Sequence, residues 1–336
     1  MQIRLVGHSG ELYMKIDKSS AWGEFIKALE KNGHTIVTGK SNSKIDVLVA
    51  NSHSRLAIKE CRKNRVPKEK MIIILWEPSV SDYKLHSKRV LNKYGLIFSP
   101  SREWGKSYKT LSFNWPVLGL QDEYQTVAEW SKRKNKAVLI SANKFSVIKG
   151  ELYSLRRKIA YLASKDDTLD IFGLKWNSGK IYDYLSYFYK LIRTPIKLVD
   201  LKSSVYLGKS YQNYVGISQD KTITYSSYKI FIILENSIEY ISEKLFDAAA
   251  ASGIIIYVGA NISKYNIPTD AVIQVEPDAN TVHSKIIELQ NLSLEKQYQI
   301  MEIQRKAIIS ISKFWYGMDV LKKLANDISK EIAPDE

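Results

Sequence analysis

Short runs of aliphatic and β-branched residues alternate along the chain with longer segments whose apolar positions recur every three or four residues. The runs at 3–6, 34–37, 45–50, 71–75, 95–98 and 111–113 are too evenly apolar for half-exposed strands, and predict strands covered on both faces, as in a parallel sheet. Helices are predicted between them. One runs from Ser19 or Ser20 to about Lys31, where Asn32-Gly33 stops it; others cover 54–64, ahead of Val66-Pro67, and 83–92. Gly7, His8, Ser9 and Gly10 form a turn after the first strand that could bring backbone close to a ligand. The polar stretch at 123–136 reads as a linker, and a second alternation follows it. Its elements are a strand at 137–140, a helix at 150–164, a strand at 169–172 closing at Gly173, and an aromatic-rich helix at 182–192. Tyr, Leu and Phe lie at helical spacing in that last helix, which predicts packing into a core. A shorter element near 199–207 and a Tyr/Ser/Gly-rich loop come next. A late strand at 271–275, a helix opening near Ser284 and a helical stretch from Leu294 to about Lys330, interrupted around 314–317, complete the pattern.

The most informative stretch is YKIFIILENSIEYISEKLFDAAAASGIIIYVGA, which begins at Tyr228 and ends at Ala260. A buried strand over 229–234, a helix stopped by Gly253 and a second buried strand over 254–258 make a βαβ unit. Between the first strand and the helix lie Glu235, Asn236, Ser237, Glu239, Tyr240, Ser242, Glu243 and Lys244. That polar set falls at the carboxyl end of a strand, the edge where open parallel sheets bind ligands. At 336 residues the chain is too long for one ordinary core. The expected division is a first α/β domain over 1–122, the linker, a second over 137–300, and helices over 301–336 that return to the first.

The motif resembles the donor-binding signature of the glycosyltransferase family 10 fucosyltransferases. That signature reads roughly Y-K-F-x-(L/I)-x-F-E-N, then Y-(V/I)-(T/S)-E-K-(L/I)-x-(D/N)-A, then an apolar strand ending in Gly. The resemblance implies a GT-B architecture, two Rossmann-like doubly wound domains with a cleft between them. It also implies metal-independent inverting transfer of fucose from GDP-fucose, with no cofactor, to a hydroxyl of a glycan or glycolipid acceptor. Such a transfer needs a base for the acceptor hydroxyl and positive charge for the leaving diphosphate. By likeness, Lys244 would neutralise the diphosphate, Glu243 would accept from ribose or sugar hydroxyls, Asn236 and Tyr240 would hydrogen-bond the donor, and Glu235 would contact the sugar. The family also places a diphosphate-binding arginine four residues before a tyrosine, ahead of a strand ending in Gly. Lys149, Tyr153 and the strand closing at Gly173 fit that spacing, with lysine where the family has arginine. Arg156 and Arg157 are rival cations. Glu77, after the strand MIIILW, corresponds to the family's general base, and burial beside Trp76 and Pro78 would raise its pKa. Its setting, W-E-P-S, differs from the family's usual E-S-P or G-E-N. His8, His53 and His86 are rival bases.

Fifty Lys and Arg against 35 Asp and Glu give a net charge of +15, which fits nucleic acid, an anionic membrane or a phosphate-bearing substrate. The lysines are scattered and no nucleic-acid-binding motif occurs, so no nucleic-acid partner is expected. Peripheral contact with an anionic membrane stays open, although no amphipathic anchor stands out. The chain has no apolar run of ~18 residues and no secretory h-region, so a cytoplasmic protein is expected. The lone Cys61 leaves no intramolecular disulfide. No paired histidine spacing, D-x-D metal motif, P-loop or G-x-S-x-G occurs, and no metal is expected. Two other readings remain: a GT-B transferase of another nucleotide sugar, and a non-catalytic module that binds nucleic acid or anionic glycan.

Overall fold

The structure is a computed structural model, describing residues 1–7, 21–39, 43–117, 126–177 and 180–333. His8, Ser9, Gly10, the Ser19 or Ser20 cap and the first three residues of the expected linker, 123–125, lie outside these residues; the rest of that stretch is a short helix over Val127–Ser131 and the start of a strand at Lys134, three residues before the expected 137. In chain order the elements are β1 (Gln2–Val6), α1 (Ala21–Lys31), β2 (Thr35–Val37), β3 (Val47–Ala50), α2 (Arg55–Lys63) and β4 (Met71–Ile74). Next come α3 (Lys88–Leu91), β5 (Leu96–Ser99), β6 (Thr110–Ser112), α4 (Val127–Ser131), β7 (Lys134–Ile140), α5 (Tyr153–Ala163) and β8 (Leu169–Phe172). They are followed by α6 (Lys180–Arg193), β9 (Tyr214–Gly216), α7 (Lys221–Ser226), β10 (Tyr228–Leu234), α8 (Lys244–Ala250) and β11 (Ile254–Val258). The last are β12 (Ile273–Gln274), α9 (Ala279–Gln290), α10 (Leu294–Ser312) and α11 (Gly317–Ile332).

The chain forms two compact units, Met1–Val117 with Phe314–Glu336, and Leu118–Lys313. The first holds a parallel sheet in the order β2-β1-β3-β4-β5-β6. β3, β4 and β5 are buried at every position, as their uninterrupted apolar runs require. Val320, Leu321, Leu324 and Ile328 of α11 join Phe25, Ile26 and Leu29 of α1 in the core, so the returning C-terminal helix completes this unit. The helix expected over 83–92 shrinks to the four residues of α3. Asp82 takes the Leu85 amide at 3.2 Å and the Ser87 hydroxyl bonds back to the Lys84 carbonyl, local side-chain bonds that compete with a helical ladder.

The second unit holds a parallel sheet in the order β12-β11-β10-β7-β8-β9. Strand order reverses between β7 and β10, the Rossmann pattern, and that reversal sets where a ligand can approach the carboxyl edge. All seven residues of β10 are buried, as are all five of β11. α10 belongs to this unit, so the chain leaves it after Lys313 instead of at residue 301. Met301 and Ile308 are fully buried, and Gln304 pairs with the Ile255 backbone, accepting from its N–H at 2.7 Å and donating to its C=O at 3.2 Å. The two-residue β12 begins its pairing only at Ile256, so the glutamine amide stands in for a missing strand residue.

The aromatic helix α6 does not pack as its spacing predicts. Asp183, Tyr187 and, just beyond the helix, Thr194 are buried along its inner face, while Ile181, Leu185, Phe188 and Ile192 are exposed.

Candidate functional site

The site starts from the reversal of strand order. β7 ends at Ile140 and its neighbour β10 at Leu234. Arg156 of α5 spans the gap between them. It is buried, donates to the Ala142 carbonyl at 3.0 Å and to the Leu234 carbonyl at 3.4 Å, and lies over the Tyr153 ring. Its Nε is buried without a hydrogen-bond partner, and burial lowers its pKa. Gly173 closes β8 beside β7 with φ +138°, and an added Cβ would lie 2.2 Å from the Ser141 oxygen.

Residues 235–243 rise from β10 and lead into α8. Glu235 is 0% exposed, and both its oxygens are engaged. Oε1 accepts from the Ser242 N–H at 2.8 Å, the Ser242 hydroxyl lies 2.9 and 2.8 Å from the two oxygens, and the Lys244 ammonium reaches Oε2 at 2.9 Å. Buried charge is tolerated only with such a partner set. Lys244 also donates to the side-chain oxygen Oδ1 of Asn236 at 3.3 Å, and Asn236 Nδ2 donates to the Tyr240 hydroxyl at 3.2 Å. Glu235, Asn236, Tyr240 and Lys244 are therefore one connected cage. Gly259, at the end of β11, closes it from below; a Cβ there would meet the Tyr257 hydroxyl at 2.3 Å and Glu235 Cγ at 2.8 Å.

Glu243 sits at the start of α8 without making a side-chain cap. Burial pushes its carboxyl up, the neighbouring Lys244 ammonium pulls it down, and the charge of Glu235 raises it again. A second loop is stitched to the cage. Leu152 N–H donates to the Asn236 carbonyl at 3.0 Å, and Glu151 pairs with Ser237 in an isolated antiparallel bridge. Glu151 is buried, its carboxyl is pushed up by burial, and its Oε1 has no hydrogen-bond partner. Lys149, two residues upstream, is exposed on that stitched loop.

The structure thus brings Glu235, Asn236, Tyr240, Glu243 and Lys244 together, with Arg156 at the strand reversal and Lys149 on the adjoining loop. Arg157 is placed elsewhere. It is fully buried on the far side of α5, where its guanidinium donates to the carbonyls of Lys144, Ser203 and Val205. Glu77 follows β4 in the other unit and is exposed, not buried as expected, although Trp76 and Pro78 beside it are buried. Trp76 turns inward to Asn51 and to the rings of Trp22, Phe113 and Trp115, leaving the carboxylate outside. His53 lies between the Tyr94 hydroxyl and the Lys93 ammonium, each 3.1 Å away, and burial lowers its pKa. His86 contacts the Glu77 carbonyl oxygen at 2.8 Å and the Trp104 ring. Arg156 as a clamp between strand ends, and Glu151 as a buried acid, were not legible as such in the sequence; the E-L-Y-S string after Gly150 carries the only local signal, an acid three residues before the Ser154 amide that it accepts from at 2.9 Å. Among the described residues no three His, Cys, Asp or Glu side chains are grouped to hold a metal ion.

No protein family model and no curated protein matches the chain. Solved structures do. An Anabaena protein, Alr3699/HepE, in complex with UDP-glucose superposes with TM-score 0.58 at 11% identity, over 98% of this chain and 100% of that one. The chain has a GT-B fold. Sucrose-phosphate synthase of Thermosynechococcus elongatus shares it with TM-score 0.55 at 10% identity, over 97% of each chain. A glycosyltransferase of Rickettsia africae does so with TM-score 0.51 at 15% identity, over 100% of this chain and 99% of that one. The chain spans 57% of the length of the pneumococcal O-GlcNAc transferase GtfA, with TM-score 0.47. Within the GT-B fold, the cage lies at the carboxyl edge of the second sheet, beside its strand reversal.

Proposed function

We propose that this protein is an inverting glycosyltransferase that takes a nucleotide diphosphate sugar, with GDP-fucose as the donor, and passes the sugar to a hydroxyl of a glycan or glycolipid. The observation that carries the reading is the cage over 235–244 at the strand reversal of a GT-B fold. Its sequence is the stretch that resembles the family 10 donor signature, and its chemistry suits a hydroxyl-rich anion. Glu243 is a carboxylate with acceptor capacity for a ribose diol. Lys149 and Lys244 supply cations for the diphosphate, and Arg156 adds positive charge behind them. Glu235 acts in this reading by holding Lys244 and Ser242 in position, a positioning residue more than a sugar contact. Glu77, an exposed carboxylate at the carboxyl end of β4, is the proposed proton acceptor.

The test is thermal stability with GDP, UDP, CDP and GDP-fucose. A ligand that binds only the folded state at about 100 times its Kd stabilises by about 2.7 kcal/mol. GDP and GDP-fucose should raise the melting temperature of the wild type, and Lys149→Ala and Glu243→Gln should reduce the gain. Glu77→Gln should keep that gain while turnover falls by roughly 100-fold or more. A second reading is favoured by the structural neighbour bound to UDP-glucose. A response to UDP and not GDP would assign a different nucleotide sugar. No response to any nucleotide, together with salt-sensitive binding to phosphate polymers, would replace both by a binding module.

A further inference from the structure

Helix α6 and the segment after it present an apolar surface that the fold does not use. Ile181, Leu185, Phe188 and Ile192 follow one another at helical spacing, and they are 77%, 64%, 56% and 83% exposed. Ile196 and Leu201 extend the surface past the helix at 82% and 68%. The opposite face holds Asp183, Tyr187 and Thr194 in the interior, so the usual amphipathic order is reversed. Scattered exposed apolar residues need no explanation, but a continuous stripe of large ones does.

The charges around the stripe say what would cover it. Among the described side chains between residues 174 and 206, five are cations, Lys175, Lys190, Arg193, Lys197 and Lys202, against two acids. Asp183 is buried, and Asp200 is engaged in capping the Lys202 amide at 2.9 Å. Arg193 lies over the exposed Tyr189 ring at 4.2 Å and Lys190 over the half-buried Phe145 ring at 4.4 Å, so cationic heads stand beside aromatic rings. A protein partner would need matching acids around a complementary groove. A second copy would bring cations against cations. An anionic lipid surface meets both demands, taking the side chains into the acyl boundary and the cations among the headgroups.

We propose that α6 is an interfacial helix that seats the second unit on an anionic membrane surface. This inference does not depend on which nucleotide sugar the cage binds. It gives the expected peripheral membrane contact a definite address, which the sequence alone left without an anchor.

The experiment is co-sedimentation of the full chain with vesicles of phosphatidylcholine alone and of phosphatidylcholine with phosphatidylglycerol. The wild type should bind the anionic vesicles and release as salt is raised. Leu185→Ser with Phe188→Ser should weaken that binding by roughly tenfold or more. Lys197→Ala with Lys202→Ala should weaken it by roughly fivefold per cation on anionic vesicles and leave phosphatidylcholine unchanged. All four side chains belong to exposed residues, so both variants should melt with the wild type; should the serine pair not do so, Ile192→Ser, at 83% exposure in the same apolar stripe, gives the same readout. No vesicle binding by the wild type, or binding that the apolar pair does not weaken, would overturn the proposal. A concentration-dependent dimer in sedimentation velocity that the apolar pair abolishes would overturn it in favour of a second copy.

Discussion

Lys244→Ala tests whether the cage is a built unit. Glu235 is fully buried and Lys244 is 23% exposed, so the pair sits mostly out of water and its partner cannot be replaced by solvent without rearrangement. Removing one member of a buried ion pair typically costs 3–5 kcal/mol, because the other charge is left uncompensated. The two Ser242 donors remain on the carboxylate, which puts the expected cost near the lower end, about 3 kcal/mol. For a unit of about 200 residues, 1 kcal/mol moves the melting temperature by roughly 2–4 °C, so calorimetry should record a fall of roughly 6–12 °C. Adding Glu235→Gln removes the orphaned charge while keeping an oxygen for the Ser242 amide, and should return more than half of the loss. A single variant that melts within about 2 °C of wild type, or a double variant no better than the single one, would refute the coupling between the two residues.

Gly259→Ala should destabilise by about 1–3 kcal/mol, because its Cβ would press on a fully buried Tyr257 and on Glu235; an unchanged melting temperature would show that the end of β11 has room to shift. Glu243→Gln should stabilise the nucleotide-free protein near neutral pH. A carboxyl whose pKa is raised in the folded state disfavours folding above that pKa and stops doing so below its ordinary value of 4.5, so the gain should fade as the pH falls through that range, and a gain independent of pH would refute it.

The strands were the most legible feature, because a sheet covered by helices on both faces writes itself as unbroken apolar runs such as MIII and IIIYV. The polar stretch after β10 was legible too, since eight polar side chains between a buried strand and a helix have few other uses. Its internal wiring was not. Glu235 and Lys244 are nine residues apart across an irregular loop, and no periodicity brings such a pair together. β9 and α7 were missed because Tyr214–Gly216 is short and only half apolar, while α7 depends on Asp220, whose side chain takes the amides of Thr222 and Ile223. The Asp278 cap on the Thr281 amide was readable, and would have started α9 at Ala279 instead of Ser284. Arg156 and Arg157 look alike in sequence; neighbouring residues on a helix point about 100° apart, so one reaches across the strand reversal and the other clips a distant loop. The reversed amphipathicity of α6 defeated periodicity altogether, because spacing shows that a helix has an apolar face and not whether that face is covered.

The pairing of Gln304 with Ile255 has a practical consequence for anyone expressing the second unit alone. A fragment stopped at residue 300, where the sequence places the domain boundary, would retain the first turns of α10 and lose the side chain that occupies the rim of β11. The Ile255 amide and carbonyl would then be open to any passing strand, and bare rims of this kind recruit neighbouring chains. Such a fragment would fail by aggregating in the tube, whereas one carried through to Lys313 keeps its own stopper.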